Sequence, residues 1–242
     1  LNEFVKQGAR ATAMEVSSHS IDQGRINGIA FEVGIFTNLT QDHLDYHGTM
    51  AAYAAVKKRF LQEFPIRHLI INADDAYGRE WLKELHDHPS VFAYGLERAP
   101  LPETIPQIIA TSVVPSLHGI QAHIVTPWGE GELTLPLVGQ FNLSNVLAVL
   151  TALCLQELPF HQVLDVLSRL SPVPGRMQLL GGRGKPLVAV DYSHTPDSLE
   201  KALQALRLHT KGKLICVFGC GGNRDAAKRP LMAGIAERLA DQ

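Results

Sequence analysis

Two short stretches of this 242-residue chain concentrate the side chains that hold metals and move protons. The first, Met14-Glu15-Val16-Ser17-Ser18-His19, follows the small-residue run Ala-Thr-Ala. The second, Thr37-Asn38-Leu39-Thr40-Gln41-Asp42-His43-Leu44-Asp45-Tyr46-His47-Gly48, follows Val33-Gly34-Ile35-Phe36. Carboxylate oxygens suit hard divalent ions, and imidazole serves as both ligand and general base near neutral pH. His43, Asp45 and His47 place three such groups within five residues, and Lys57 follows fourteen residues after His43. Each also has a plainer reading. Glu15 at a strand end can cap a helix, and Lys57 beside Lys58 can be part of a solvated helix face.

For these groups to meet, both stretches must lie at the carboxyl ends of parallel strands, where open α/β sheets bind ligands. The pattern allows it. A helix end stopped by Gly8 precedes a predicted buried strand at Ala11 to Val16, and Ile26 to Asn38 supplies the next strand. Thr49 can cap a helix whose Met50, Tyr53, Val56, Phe60 and Leu61 share one face, with Lys57 beside it. Arg67 to Asn72 reads as a buried strand, Asp74-Asp75 as a turn and Tyr77 to His86 as an amphipathic helix.

From Val91 to Val138 the pattern changes to short β runs: Val91 to Tyr94, Ile108 to Val114, Ile120 to Thr126 and Glu132 to Val138. Trp128-Gly129-Glu130-Gly131 is a hairpin turn between the last two, and the Pro-rich Ala99 to Pro106 is a loop. Asn142 or Ser144 can cap an apolar helix through Leu155, and a second helix runs from Phe160 to Leu170. Ser171-Pro172-Val173-Pro174-Gly175 then interrupts helical periodicity and marks a boundary. Beyond it, Leu187 to Val190 reads as a buried strand, Thr195 opens a helix from Pro196 to Leu208, Lys213 to Phe218 forms another strand, and a last helix ends near Leu239.

The fold class is therefore α/β: a Rossmann-like parallel-sheet domain with a small β subregion over residues 1–172, then the start of a second Rossmann-like α/β domain over 173–242. About seventy residues are too few to close a second sheet. Leu1 to Val5 also reads as a helix already under way, so the expectation is an internal fragment, cut at both ends.

Composition narrows the function classes. With 45% hydrophobic and 19% charged residues, the chain can bury a core, and a net charge of −2 with no basic block argues against nucleic acid. No apolar run is of membrane-spanning length, so membrane insertion is not expected. Cys154, Cys216 and Cys220 are odd in number and form no CxxC pair, which fits a reducing cytoplasm.

The stretch from Asn38 to Gly48 followed by Lys57, and the first stretch followed by Gln23-x-Arg25, resemble the Mur ligase family of ATP-dependent amide ligases. Later motifs agree in order: Gly139 to Asn145, Pro174-Gly175-Arg176-Met177, Asp191 to Asp197, and Phe218 to Asp225. The chain is most similar to the branch that adds the third residue of the peptidoglycan stem peptide. The resemblance covers nearly all of the sequence. It implies a cytoplasmic, monomeric enzyme taking a UDP-muramoyl dipeptide, ATP and a diamino acid, meso-diaminopimelate or L-lysine, through an acyl phosphate.

By the same resemblance, Glu15 and His43 are direct Mg²⁺ ligands and Lys57 is carbamylated, giving a further metal-binding anion. All three are then catalytic. Ser17, Gln23 and Arg25 match positions that contact the UDP-muramoyl peptide, and a guanidinium fork suits carboxylate or phosphate. Asn142, Arg176, Asp191 and His194 match the nucleotide site, although Asp191 reads equally well as a turn residue. Arg224 matches the arginine that meets the carboxylate of the incoming amino acid. Here Asn223 precedes it where the family usually has Asp, which alters the local charge.

The family's phosphate-binding loop and its diaminopimelate-reading motif have no counterpart in the sequence, so the chain alone is expected to be inactive. Three other readings compete. A folylpolyglutamate synthetase-like ligase runs the same chemistry on folate, a metal-dependent hydrolase could be built on His43, Asp45 and His47, and a nucleotide-binding scaffold would leave the polar cluster without a role.

Overall fold

The computed structural model describes residues 2–182, 184–221 and 226–242. A short helix α1 (Asn2–Lys6) ends before Gly8, whose φ of +84° suits glycine, and α2 (Ser18–Asp22) follows. Then come β1 (Phe31–Phe36), a single-turn α3 (Leu44–His47), α4 (Met50–Glu63), β2 (Ile66–Asn72), α5 (Ala76–Glu84) and β3 (Val91–Gly95). Three further strands follow, β4 (Gln107–Ser116), β5 (Gly119–Thr126) and β6 (Gly129–Leu135), and then α6 (Gln140–Leu155) and α7 (Phe160–Leu167). The remainder holds β7 (Gln178–Gly181), β8 (Leu187–Val190), α8 (Pro196–Arg207) and α9 (Lys228–Leu239).

Strands β1 to β6 form one sheet in chain order, parallel from β1 through β4 and antiparallel from β4 to β6. Leu69, Ile70 and Ile71 of β2 explain why it is central. All three are fully buried, Leu69 and Ile71 in one apolar cluster and Ile70 in another. A strand with both faces covered needs such an unbroken apolar run. On one face lie Tyr53, Phe60 and Leu61 of α4 and Trp81 and Leu82 of α5. On the other lie Leu143, Leu147 and Leu150 of α6 and Val163 and Leu167 of α7. Burying each such side chain contributes roughly 1.5–3 kcal/mol. The α/β expectation therefore holds, and so does the predicted face of α4, with Met50 and Val56 packed at its rim.

Five local expectations do not hold, one being the turn at Trp128 to Gly131, since Gly129, Glu130 and Gly131 already pair with β5 as part of β6. Ala11 to Val16 forms no strand, and residues 11–15 are exposed. Its small side chains offer little apolar area, and no strand among the described residues pairs with it. Neither Asn142 nor Ser144 caps α6: the N-cap is Gly139, at φ +95°, and the Asn142 amide instead donates to the Val138 carbonyl (2.7 Å). Strand β8 forms but is not buried, Leu187 being 45% exposed, because it pairs only with β7 in an antiparallel ribbon too narrow to cover itself. Lys213 to Phe218 keeps the alternation of a strand without becoming one. Leu214 and Cys216 face the α8–α9 core while Val217 is 94% exposed, and among the described residues the backbone bonds there reach only Asp241 and Gln242.

The helix predicted after Thr195 is present. The Thr195 hydroxyl accepts from Ser198 N–H, and the Ser198 hydroxyl returns the bond to Thr195 N–H, a reciprocal cap that fixes where α8 begins.

Candidate active site

Ser17 sets the first wall of the site. Its hydroxyl accepts from Ser20 N–H (3.1 Å), starting α2 and turning His19 toward the second polar stretch. The loop after β1 is pinned from β2 and α5. Asn72 donates to the Thr37 carbonyl (2.6 Å), and Asp75 accepts from Leu39 N–H (3.0 Å) while also capping α5. His43 then adopts a left-handed backbone, φ 56°, at the head of α3 and makes no side-chain cap, so its imidazole is left for the site.

The two stretches meet through rings. His19 lies edge-on to His43 with centroids 5.0 Å apart and packs on Tyr46 at 4.2 Å, while His47 stacks on Tyr53 at 5.1 Å and its Nε2 is 2.8 Å from the Ser18 hydroxyl. Burial, helped by the nearby His19, lowers the pKa of His47. Burial and the charges of Asp42 and Glu15 push the Tyr53 hydroxyl up to about 12, so it is a neutral hydrogen-bonding group. Burial also lowers the pKa of the Lys57 amine, against the opposing pull of Glu15, and its Nζ donates to the Val16 carbonyl at 3.4 Å.

Ser17, Arg25, His43 and His194 share one cleft of about 420 Å³, together with Asp42 and Lys228. His194 reaches it from the turn before α8, its Nε2 3.7 Å from Asp42 Oδ2, and the same carboxylate oxygen is 3.6 Å from His43 Nε2. Glu15 acts by charge on both the Tyr53 hydroxyl and the Lys57 amine, and the Tyr53 ring lies 5.9 Å from that of His43, which lines the cleft. Gln23 borders it through Tyr46 (3.4 Å), whose hydroxyl donates to Asp22 (2.8 Å).

The other sequence candidates gather elsewhere. Arg176 lies over the Tyr192 ring at 4.6 Å, and Asn142 is tied to Val138. Both oxygens of Asp191 already accept, one from Met177 N–H (2.8 Å) and one from the Ser193 hydroxyl, so it clamps the turn that carries Arg176. Arg224 lies outside the described residues. Sequence reasoning missed Asp42 as the link to His194, His19 as the ring that joins both stretches, and Lys228 altogether. Asp42 and His19 stand inside the quoted motifs, whereas nothing in the pattern around Lys228 signals its burial.

The family descriptions Mur ligase middle domain and Mur ligase, glutamate ligase domain match residues 1–153 and 175–242. A UDP-N-acetylmuramoyl-L-alanyl-D-glutamate--2,6-diaminopimelate ligase of Coxiella burnetii is 48% identical over 240 residues, covering 99% of this chain and 49% of that protein. The protein of the same name from Ectopseudomonas mendocina is 51% identical over 241 residues, covering 100% of this chain and 48% of its own length. The chain thus spans about half the length of the curated relatives it matches. A solved structure of a ligase with this name superposes with a TM-score of 0.73 at 36% identity, covering 98% of this chain and 48% of that one. MurF from Acinetobacter baumannii gives the same TM-score at 19% identity, over 87% of this chain and 45% of its own, which is a likeness of fold alone. With both family matches in chain order around the cleft just described, the chain belongs to the Mur ligase family.

Proposed function

We propose that this chain is part of an ATP-dependent amide ligase that joins meso-diaminopimelate to UDP-N-acetylmuramoyl-L-alanyl-D-glutamate in the cytoplasm. The observation that carries the reading is the single cleft shared by Ser17, Arg25, His43 and His194, four positions singled out by one family's motifs. The relatives reported above, about half identical, carry the diaminopimelate name, which favours this substrate over lysine and favours the ligase over the folate and hydrolase readings. Residues 1–172 act as the central domain and 173–242 as the beginning of the C-terminal one.

In this reading Ser17, Gln23 and Arg25 bind the UDP-muramoyl peptide, whose terminal carboxylate takes the γ-phosphoryl group of ATP to give an acyl phosphate. The amine of the incoming amino acid then displaces phosphate, with Arg224 holding its carboxylate. Asn142, Arg176, Asp191 and His194 serve the nucleotide. Asp191 does so through the turn it clamps, and His194 through its link to Asp42.

The residues fit magnesium. Glu15 offers a carboxylate and His43 an imidazole. Among the described residues no three His, Cys, Asp or Glu are grouped as a metal site, so in this reading the third ligand comes from another residue type. Lys57 supplies it: burial favours the neutral amine, which adds carbon dioxide and releases a proton to become a carbamate. Bound there, magnesium supplies the charge neutralisation that phosphoryl transfer to a carboxylate needs. Phosphate release by the intact protein, measured with each of ATP, UDP-muramoyl dipeptide and diaminopimelate left out in turn, tests the proposal. Turnover should require all three. Hydrolysis of the muramoyl peptide without ATP would overturn it.

A further inference from the structure

Lys228 is only 8% exposed, yet it makes no hydrogen bond or ion pair among the described residues. A lysine ammonium carries three donors and no acceptor, and burying such a cation without a partner is strongly unfavourable. Its place makes matters worse. Lys228 is the first residue of the twelve-residue α9, at the positive end of the helix dipole, where a cation is disfavoured and an anion favoured. The N-cap, Ala227, gives no side-chain cap. Folding alone therefore gives no reason for a lysine here.

The cleft gives one. Lys228 lines it together with Arg25, which is likewise without a side-chain partner among the described residues. Two carboxylates also line the cleft: Asp42, shared between His43 and His194, and Asp45, whose charge acts on His47. Two cations without side-chain partners, one of them the first residue of a helix, thus line one cleft. We propose that Lys228 is a further substrate-binding residue, whose ammonium holds a carboxylate or phosphate oxyanion inside the cleft. That this anion belongs to the group being transferred rests on the ligase reading; the anion site itself does not.

The test uses two bare anions and two readouts. Inorganic phosphate and glutarate are titrated separately into the full chain by calorimetry at low ionic strength, and the same is done with Lys228→Met. Thermal unfolding of both is followed without added anion. Saturable binding of one or both by the wild type should weaken at least about 10-fold in the variant, the loss of one charge-assisted bond. Which anion is affected identifies the source. The variant should also unfold about 2–4 °C higher, because an uncompensated buried charge has gone.

Opposite signs in binding and stability are what a ligand-directed lysine requires, and a structural lysine would lose stability on substitution. Equal anion affinity in the two proteins, no saturable binding of either anion by the wild type, or a lower unfolding temperature for Lys228→Met would overturn the proposal. Because the probes are not ligase substrates, absence of ATP-dependent turnover would count against the ligase reading and leave the anion result standing.

Discussion

Lys57 Nζ lies 3.4 Å from the carbonyl oxygen of Val16, the residue directly after Glu15, so helix α4 delivers its amine to the start of the first polar stretch. The two are 41 residues apart in sequence. This contact places the buried amine under the field of Glu15, which opposes the lowering of its pKa by burial. It is the geometric basis of the carbamate proposed above.

If Lys57 works as a carbamate, Lys57→Ala in the intact protein should lose activity by on the order of 100-fold or more, the scale of removing a charge-stabilising group from a reacting site. Acetate or formate should restore part of it by filling the vacated anion site. Lys57→Arg keeps the positive charge but cannot carry the modification, so it should fail nearly as badly. Steady-state phosphate release with and without added carboxylate decides. Wild-type rates in the arginine variant would return Lys57 to an ordinary lysine.

Arg224→Ala should raise the Michaelis constant for the amino acid by roughly 10- to 100-fold, the loss of one or two charge-assisted hydrogen bonds. Affinity for the UDP-substrate should change little. Initial-rate kinetics varying each substrate separately would show it, and a collapse of UDP-substrate affinity with an unchanged amino-acid constant would contradict the assignment.

Three histidines give stability a pH dependence with separable signs. His47 is lowered by burial, then by His19 and His43, against Asp22 and Asp45, and His68 by burial, Arg67 and His88, against Glu32. Their folded pKa values lie below the unfolded one, so the unfolded chain takes the proton first, and stability falls as pH drops below about 6.5. His123 has the opposite sign. Its hydrogen bond to Glu132 raises it, aided by Glu130, so its contribution is present below the unfolded value and lost as pH rises through the folded one. Urea midpoints between pH 7.5 and 5.5 should decline less steeply in His68→Gln and more steeply in His123→Gln. Parallel curves for the two would refute this account.

Two glycines should respond very differently to alanine. At Gly78, within α5, a Cβ would stand 1.9 Å from the backbone oxygen of Asn72, the residue that pins the loop leading to His43. Helix and strand would have to separate, at a cost of about 2–3 kcal/mol. At Gly48 a Cβ meets nothing within 4 Å, but φ is +75°, so Gly48→Ala should cost only about 1 kcal/mol of left-handed strain. Denaturant unfolding of both variants measures the difference, and equal losses would show that the close approach of α5 to β2 is relieved by movement.

Much of the fold was legible in the chain itself because its signals are local. The apolar run Leu69-Ile70-Ile71, the Thr49 and Thr195 caps and the face of α4 each follow from neighbours a few residues away, and all are found as read. The positions of Ser17, Arg25, His43 and His194 were legible as motif matches, and the cleft unites them. Partnership was not legible. The composition of Ala11 to Val16 or Lys213 to Phe218 suits a strand, but a strand exists only when another strand satisfies its N–H and C=O groups. The same limit hid Asp42's reach to His194, 152 positions further along the chain, and the burial of Lys228. Sequence thus determined which local elements form and which residues match the family's motifs. Tertiary structure alone decided which strands found partners and which distant charges share one cleft, because desolvation and Coulomb interactions depend on distance in space.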